Sequence, residues 1–385
     1  MSWPLVKLAD ICTTTQGVQI TKANTKDKAY DGGYRYLYIA DFISNKKLSF
    51  VDDVFDHKKF TENDLVMANT GSPGRVFKGK KGILSNNLFK ISFDLKVVDR
   101  NYLYLMLSSN VFQNVLQDQM KGGIQKHLGH QTISRQEIPL PPLAEQKRIA
   151  AILDKADAIR RKRKQAIQLA DDFLRSVFLD MFGDPVTNPK GFPIGTIRDF
   201  VETANYGSSG KASETEGEFP ILRMGNITYE GGWNFSSLKY IDLSDKDKPK
   251  YLAQKGDLLF NRTNSKELVG KTAVFEEDIP MAIAGYLVRV RPNQLGNNYY
   301  LSGYLNSLHG KKTLVGMCKS IVGMANINAQ ELQNIEIMLP SKKLQDNFES
   351  IVKSTNEKLK NFKKSEILLS DSFNSLRQKA FAGEL

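Results

Sequence analysis

The most regular pattern of apolar and polar positions in the chain lies between residues 139 and 182. Apolar side chains recur there at alternating steps of three and four residues, the spacing of a helix that packs along a narrow seam against a partner helix. Pro141 and Pro142 suit a first helical turn, and Gly183 ends the segment. The pattern predicts a helix over residues 143–182. Its predicted seam consists of Ile149, Ile152, Ala156, Ile159, Arg163, Ala170, Phe173 and Val177.

A second heptad pattern follows Pro340 and repeats the first, since Gln345 stands 199 residues after Gln146. Each narrow apolar seam needs a partner, and the two segments can supply one another. The sequence therefore predicts a C-terminal helix over residues 341–385 that packs antiparallel to the central one. Its predicted seam consists of Phe348, Val352, Leu359, Phe362, Glu366, Leu369, Phe373 and Leu376.

Each seam has one charged interruption, Arg163 in the first and Glu366 in the second. Aligning the midpoints of the two segments antiparallel places these residues opposite each other. A charged pair within a seam fixes register and orientation at a cost in stability. We therefore hypothesise that Arg163 pairs with Glu366, which a separation of more than one helical turn along the seam would contradict.

The segments outside the helices also repeat. Short apolar runs separated by glycine and polar turns predict strands, and helical spacing appears at residues 100–119 and again near residues 299–308. The sequence KGDLLFNRTNS after residue 254 matches ENDLVMANTGS after residue 61. The predicted fold is therefore α+β, with two similar mixed α/β domains joined by two long antiparallel coiled-coil helices. The predicted boundaries are 1–142, 143–182, 183–340 and 341–385.

Composition and charge narrow the class of protein. Of the 385 residues 41% are apolar and 25% are charged, which is typical of a globular protein. No apolar run is long enough to span a membrane and the N-terminus does not resemble a signal peptide, so we expect a cytoplasmic protein. The net charge of +12 suggests a polyanionic partner. Residues 1–142 carry 19 Lys and Arg against 13 Asp and Glu, whereas residues 183–340 carry 17 of each, so the second domain would need local basic patches.

Catalytic and metal-binding patterns are weak. Gly270-Lys271-Thr272 ends like a phosphate-binding loop, but Ser265 occupies the position of the required first glycine. His127 and His130 lack the acidic or thiol companions of a metal site. The two cysteines, at 12 and 318, fit small buried apolar side chains in a reducing compartment. We expect a chain without a catalytic site, cofactor or metal of its own.

Three polar loops in each domain carry side chains that hydrogen-bond base edges and phosphates. Each alone fits an ordinary solvated loop, but the loops recur at matching points of both domains. The basic run at residues 160–164 likewise fits either a solvated helix face or a contact with DNA phosphates. The predicted DNA-binding residues are Gln16, Gln19, Thr21, Lys22, Thr70, Ser72, Arg75, Lys78, Gln125, Lys126 and His127 in the first domain, and Ser208, Ser209, Lys211, Arg223, Asn261, Arg262, Asn264, Lys266, Lys319, Ser320 and Asn326 in the second.

Two segments carry a resemblance to a known family: PLPPLAEQKRIAAILDKAD at the start of the central helix and SFNSLRQKAFAGEL at the C-terminus. With the globular repeat between them, the chain resembles the specificity (S) subunit of a type I restriction-modification system. The second helix begins LPSKKLQDNF and lacks the PPLxEQ form, so its contact with a partner is expected to be less typical.

The resemblance implies two target-recognition domains, each reading one half of a bipartite double-stranded DNA target. It also implies that the helix pair sets the spacing between the half-sites and binds two modification (methyltransferase) subunits, with restriction subunits joining through that core. S-adenosylmethionine would bind the partner methyltransferase and not this chain. Two other classes stay open: an adaptor whose repeated domains bind peptide or carbohydrate, and a hydrolase with an unrecognised site.

Overall fold

The computed structural model describes residues 3–44, 48–52, 58–120, 127–318 and 324–385. They form two compact units. Unit 1 comprises Met1–Arg163 with Ser365–Leu385, and unit 2 comprises Lys164–Lys364. Two long helices, α6 (Leu143–Phe182) and α11 (Lys342–Ala382), each contribute one half to either unit.

Unit 1 contains two four-stranded sheets and a two-stranded pair. The sheets have the orders β2-β9-β6-β7 and β4-β3-β8-β5, and β1 pairs with β10. The strands are β1 (Leu5–Lys7), β2 (Cys12–Gln16), β3 (Gly33–Leu37), β4 (Phe50–Asp52), β5 (Lys59–Phe60), β6 (Leu65–Ala68), β7 (Val76–Phe77), β8 (Gly82–Leu84), β9 (Leu88–Phe93) and β10 (Glu137–Pro139). The shorter helices are α1 (Leu8–Ile11), α2 (Ile39–Ile43), α3 (Arg100–Leu107), α4 (Asn110–Gln119) and α5 (His130–Ser134), with a 3-10 turn at Lys22–Asn24.

Unit 2 repeats this topology. Its four-stranded sheets have the orders β12-β20-β16-β18 and β14-β13-β19-β15, β11 pairs with β22, and β17 pairs with β21. The strands are β11 (Ile194–Thr196), β12 (Val201–Tyr206), β13 (Phe219–Leu222), β14 (Lys239–Ile241), β15 (Leu252–Ala253), β16 (Leu258–Asn261), β17 (Thr263–Asn264), β18 (Thr272–Val274), β19 (Met281–Ile283), β20 (Leu287–Pro292), β21 (Ala325–Asn326) and β22 (Glu336–Met338). The helices are α7 (Lys248–Tyr251), α8 (Asn298–Asn306), α9 (Leu308–Met317) and α10 (Ala329–Gln333), with a 3-10 turn at Ile197–Phe200.

The central strand of each unit lies inside a layered core. All four residues of β6 and of β16 are buried, because one side of the strand meets the helices and the other meets the second sheet. In unit 2, Phe260 packs with Tyr300 of α8, while the neighbouring Leu259 packs with Ile283 of β19. The internal repeat and the mixed α and β content predicted from the sequence are confirmed by the two matching sheet orders.

The boundaries of α6 agree with those predicted from proline and glycine. The helix begins at Leu143, directly after the proline pair, and ends at Phe182. Gly183 adopts a φ of 81°, a left-handed conformation that favours glycine, and its N–H donates to the Leu179 carbonyl oxygen at 2.8 Å. Within the described residues, no helix combines the length and the apolar character that crossing a membrane requires.

A buried glutamine anchors the start of each long helix. In unit 1 the Gln146 side chain accepts from Asp99 N–H at 2.8 Å and donates to the carbonyl oxygens of Val97 and Pro141. In unit 2 the Gln345 side chain donates to the corresponding carbonyl oxygens of Leu295 and Pro340. Each glutamine therefore ties the first turn of a long helix to the loop that precedes the helical layer of its own unit.

The two long helices run antiparallel within unit 1. Ile149 and Leu153 of α6 share a buried cluster with Phe373 and Ala380 of α11. Arg148 donates to the Leu385 carbonyl oxygen at 3.1 Å, and three turns later the Arg160 guanidinium lies 5.3 Å from the centre of the Phe373 ring. Residue numbers therefore increase along α6 in the direction in which they decrease along α11, as in an antiparallel pair.

The same direction holds within unit 2. Phe178 and Phe182 near the end of α6 contact Phe348 near the start of α11, with ring centroids 5.7 and 5.5 Å apart. All eight residues of the predicted α11 seam are buried or partly buried. The Arg163–Glu366 pair stays a prediction.

The predicted seam of α6 is wrong at Ile159 and Phe173, whose side chains are 48% and 51% exposed. The buried positions include Leu153 and Phe178, which the prediction omitted. Arg160, next to Ile159, contacts the Phe373 ring of α11 through its guanidinium at 5.3 Å, and an apolar pattern does not assign such a contact to a cation.

The helical segment at residues 100–119 also differs from the prediction, because α3 and α4 are separate helices. The Ser109 side chain accepts from Phe112 N–H at 3.2 Å and caps the second one. This break shifts the helical phase, so Phe112 and Leu116 are buried while Val111 and Val115 are exposed.

We expect two phenylalanine truncations to separate the observed seam from the predicted one. Phe373→Ala removes a ring that is 8% exposed and should cost about 3–5 kcal/mol in free energy of unfolding. Phe173→Ala removes a ring that is half in solvent and should cost less than about 1 kcal/mol. Urea unfolding of both variants and the parent chain measures the difference; equal losses would place Phe173 in the seam.

Candidate nucleic-acid interface

Two of the three predicted polar loops of unit 2, the loop after β12 and the loop after β16, meet around one cleft of about 540 Å³, together with the end of β13, which carries the predicted residue Arg223. The cleft is therefore built at one end of both sheets, where strands give way to loops. Its lining residues are Ser208, Ser209, Gly210, Ala212, Ile221, Arg223, Lys239, Arg262, Thr263, Ala284, Gly285 and Tyr286.

A glycine allows the loop after β12 to cross the second sheet at close range. A Cβ on Gly207 would lie 2.3 Å from the Ile283 carbonyl oxygen, so only glycine fits. Ser208 then donates its N–H to Ile283 and accepts from Gly285 N–H, both at 2.7 Å. Gly17 in unit 1 has the same role, since its Cβ would lie 2.1 Å from the Ser85 carbonyl oxygen. The same crossing thus positions the first polar loop in both units.

Arg262 is held at the cleft by its backbone and by an aromatic ring. Its N–H donates to the Tyr286 carbonyl oxygen at 3.0 Å, and its own carbonyl oxygen accepts from Ile327 N–H at 2.9 Å. The guanidinium carbon lies 4.7 Å from the centre of the Tyr206 ring, within the range of a cation–π contact. The Tyr206 hydroxyl is fixed in turn, since it accepts from Ala329 N–H at 3.0 Å.

Two further cations line the cleft of unit 2. Arg223 donates through Nη2 to the Ser237 carbonyl oxygen at 3.0 Å, and Lys239 forms an ion pair with Glu214 at 2.6 Å. Positive charge is therefore concentrated locally within residues 183–340, where Lys and Arg are balanced by an equal number of Asp and Glu. Positive charge concentrated in a concave surface attracts a polyanion more effectively than the same charge spread over the surface.

Unit 1 has a corresponding polar edge, formed by Gln16, Asn69, Asn86 and His130. The Gln16 side chain donates to the carbonyl oxygens of Asn86 and Leu88. The Asn69 side chain donates to the same Asn86 carbonyl oxygen at 3.1 Å. The His130 ring bridges Thr14 Oγ1 at 2.6 Å and Gln16 Oε1 at 2.9 Å. Amide and imidazole groups thus form the corresponding edge of unit 1.

The loop after β6 lines a cavity of unit 1, about 450 Å³ in volume. Ser72 and Arg75 line it, together with Tyr104 and Gln113 from the helical layer. Gln113 donates to the carbonyl oxygens of Gly74 and Leu107, so it fixes this loop to α3 and α4. Arg75 itself is exposed at the rim.

Several predicted DNA-binding residues lie on these surfaces and are accessible. Other predicted residues are buried or already hydrogen-bonded within the fold, which does not fit a role in DNA binding. Asn261 is wholly buried, so it supports the fold and does not face a ligand. Lys78 donates to Asn101 Oδ1 at 2.9 Å and lies 4.3 Å from the Tyr104 ring, and burial lowers its pKa. Gln16 is occupied by backbone contacts. The exposed predicted residues are Gln19, Thr21, Lys22, Arg75, His127, Ser209, Lys211, Lys266 and Asn326.

Asn264 pairs with Ala325 between β17 and β21, and Thr70 Oγ1 donates to Asn69 Oδ1 at 3.3 Å. Four predicted residues lie outside the described part of the chain: Gln125, Lys126, Lys319 and Ser320. Their assignment to DNA stays a prediction.

Four residues at the cleft and the polar edge are absent from the predicted DNA-binding set: Lys58, Asn86, Lys239 and Tyr286. Lys58 Nζ donates to the Gln16 carbonyl oxygen at 3.0 Å, a contact between residues 42 positions apart that no local pattern reveals. Asn86 and Tyr286 belong to the turns that join β8 to β9 and β19 to β20. The sequence could have indicated Asn86 and Tyr286, because each lies in a polar turn between two apolar runs and the turn recurs in both units.

Among the described residues, no cluster of His, Cys, Asp and Glu could hold a metal ion. His130 is a structural residue here, with both ring nitrogens in hydrogen bonds. Lys271, within the phosphate-loop-like sequence, is 7% exposed and donates to the Met224 carbonyl oxygen at 2.7 Å. These residues belong to the fold and form no catalytic arrangement with one another.

The fold and the two loop edges define a recognition protein, built twice on one pair of long helices. A family model described as the type I restriction modification DNA specificity domain matches residues 2–169 and 189–369. The chain belongs to this family, the specificity subunits of type I restriction-modification systems.

Similar proteins with known names are specificity subunits of type I restriction enzymes. The MjaVIII subunit of Methanocaldococcus jannaschii is 31% identical over 204 residues, covering 52% of this chain and 46% of that subunit. The EcoKI subunit of Escherichia coli is 23% identical over 374 residues, covering 89% and 80%. The chain thus spans about half of the first relative and most of the second. The predicted class, a non-catalytic specificity subunit, agrees with both.

Two solved structures share the fold. The S subunit of a type I system from M. genitalium gives a TM-score of 0.62 at 17% identity, covering 99% of this chain and 96% of that one. A chain from a study of complex assembly and conformational transition in the type I system gives 0.56 at 18% identity, covering 100% and 98%. The predicted fold class is confirmed by this likeness.

The polar edge of unit 1 should weaken in acid because of His130. Burial, together with the nearby His127 and Lys58, lowers the pKa of its imidazole. The folded state then binds the proton less readily than the unfolded state, so this contribution is present above the ordinary histidine pKa of about 6.5 and is lost as the pH falls through the lower folded value. We expect thermal unfolding to show a lower Tm at about pH 5.5 than at pH 7.5.

The His130→Gln variant is the control, because it cannot take up the proton. Its Tm should change less between the two pH values than that of the parent chain. An unchanged pH dependence in this variant would show that other groups are responsible.

Proposed function

We propose that this chain selects the DNA sequence on which a type I restriction-modification complex acts, with each unit reading one half of a bipartite target. The observation that carries the proposal is the repeat itself: two units of one topology present polar loops at the same end of corresponding sheets. The side chains there are arginine, lysine, amides and hydroxyls, which suit base edges and phosphates. Because the loops differ in length and sequence, the two half-sites should differ.

The helix pair supplies the second part of the proposal. A helix of 40 residues extends about 60 Å at 1.5 Å per residue, and we propose that α6 and α11 set the spacing between the half-sites. Exposed apolar side chains outside the seam, among them Ile159 and Phe173 on α6, offer surface for protein partners. We propose that two methyltransferase subunits, which carry S-adenosylmethionine, bind these helices and that restriction subunits join through them.

Exchanging one recognition unit should change one half-site only. In a chain whose residues 1–138 come from a relative, the half-site read by unit 1 should change and the other should stay. The measurement is co-expression with the cognate methyltransferase subunit, followed by genome-wide mapping of methylated adenines with and without the chain. Changes in both half-sites, or methylation independent of the chain, would contradict the proposal.

Lengthening the helices should alter the gap between the half-sites. One extra heptad in both α6 and α11 keeps the seam in phase and adds about 10.5 Å, so the gap should grow by at most about three base pairs of about 3.4 Å each. The same methylation mapping measures it. A control with seven exposed residues substituted but none added should retain the parent gap; an unchanged gap in the lengthened chain would exclude a spacer role.

A further inference from the structure

We propose that Arg262 selects a guanine in the half-site read by unit 2, and that unit 1 has no equivalent guanine-selecting side chain. The inference rests on the proposed function and extends it to one residue and one base. It depends on how the guanidinium is held, on the other cations of the cleft and on the corresponding position of the repeat.

The Arg262 guanidinium is oriented by its surroundings but makes few hydrogen bonds. Stacking on the Tyr206 ring at 4.7 Å restricts its plane, and two backbone hydrogen bonds fix the main chain beneath it. Its side chain makes one long contact, from Nη1 to the Gly285 carbonyl oxygen at 3.5 Å. Within the described residues its buried Nε has no hydrogen-bond partner. The Arg262 guanidinium can therefore donate hydrogen bonds to a ligand in a defined plane. Because its orientation is already restricted, binding costs little side-chain entropy.

The other two cations of the cleft are already engaged. Arg223 donates to a backbone carbonyl group at 3.0 Å, and Lys239 is paired with Glu214 at 2.6 Å. Both suit general attraction of the phosphate backbone. All three cations are partly buried, and Arg223 also has a buried Nε without a hydrogen-bond partner among the described residues. Arg262 differs from both because its guanidinium is stacked on the Tyr206 ring and makes a single contact, of 3.5 Å, in the described part of the chain.

Guanine presents the acceptor pattern that this fork matches. In the major groove its N7 and O6 accept two parallel N–H donors, and a bidentate arginine is the commonest specific contact to a base. Ser209 and Thr263 add hydroxyl groups to the cleft, but hydroxyls accept and donate with little discrimination between bases. The guanidinium therefore carries the selectivity at this position.

The corresponding residue of unit 1 is Asn69. Its N–H donates to the Asn87 carbonyl oxygen at 3.0 Å and its carbonyl oxygen accepts from Leu128 N–H at 2.9 Å, the same two bonds that Arg262 makes in unit 2. The Asn69 side chain is 4% exposed and donates to the Asn86 carbonyl oxygen. The position that reads a base in unit 2 is therefore a structural amide in unit 1, so the half-sites differ there.

The experiment compares three arginine substitutions in the full chain, co-expressed with the cognate methyltransferase subunit. Methylated adenines are mapped genome-wide and the preference at every position of both half-sites is extracted. Arg262→Gln should relax the guanine preference at one position roughly 5- to 150-fold, with adenine gaining, because a glutamine amide matches adenine N6 and N7. Arg262→Lys should retain part of the preference. Arg198→Gln, at an exposed arginine of unit 2 outside the cleft, should leave both half-sites unchanged.

Tyr206 is a positioning residue in this account, and its variants test that role. Tyr206→Phe keeps the ring beneath the guanidinium and should keep the guanine preference. Tyr206→Ala removes the ring and should relax the same position that Arg262→Gln relaxes. A merely structural tyrosine would lower overall methylation without changing the preference at that position.

Two outcomes would overturn the inference. In the first, Arg262→Gln leaves the base preference at every position of both half-sites unchanged. In the second, Arg262→Gln lowers methylation equally at all target sites while the guanine preference is retained, which is the result expected for a phosphate contact. Retention of the half-site of unit 1 shows that a variant is folded and assembled. Failure of the proposed function is distinct, because the parent chain would then direct no sequence-specific methylation at all.

Discussion

The whole structure depends on the antiparallel packing of two long helices, of 40 and 41 residues, because each half of a helix completes the core of a unit. In unit 1 the seam joins Leu153 to Phe373, and in unit 2 it joins Phe178 to Phe348. Neither helix could bury a narrow apolar stripe alone. The buried glutamines at the helix starts then connect this packing to the sheets through backbone hydrogen bonds. Within each unit, the helix packing and these hydrogen bonds together hold the sheets, and the loops at their ends, against the long helices.

The loop edges show how one topology supports two different surfaces. The same glycine crossing and the same pair of backbone hydrogen bonds recur in both units, so the main chain at the edge is conserved between the repeats. The side chains placed on it are not. At this edge unit 1 has amides that donate to backbone carbonyl oxygens and a histidine that bonds to Gln16, whereas unit 2 has a cleft lined by three cations. The proposed specificity therefore rests on side chains and loop lengths carried by a main-chain framework that the two units share.

The sequence predicted most of the fold because the decisive signals were local. Pro142 and Gly183 mark the ends of α6, and the heptads of α11, interrupted at Glu366, indicate its seam. The seam of α6 was partly wrong because Arg160 occupies a position that an apolar pattern does not assign to a cation. At the candidate site, sequence reasoning found the loops but could not separate Arg262, stacked and accessible, from its buried neighbour Asn261. That difference is set by tertiary packing, as is the contact of Lys58 with Gln16, and local spacing does not report it.

The central claim is that two units of one chain each contact a separate half of one DNA target. Hydroxyl-radical footprinting of the chain with its methyltransferase partner, on DNA that carries the mapped target, tests this claim most directly. The account predicts two protected segments separated by an accessible gap, with substitutions in the cleft of unit 2 weakening protection at one segment only. A single continuous protected segment, or equal loss at both segments, would contradict it.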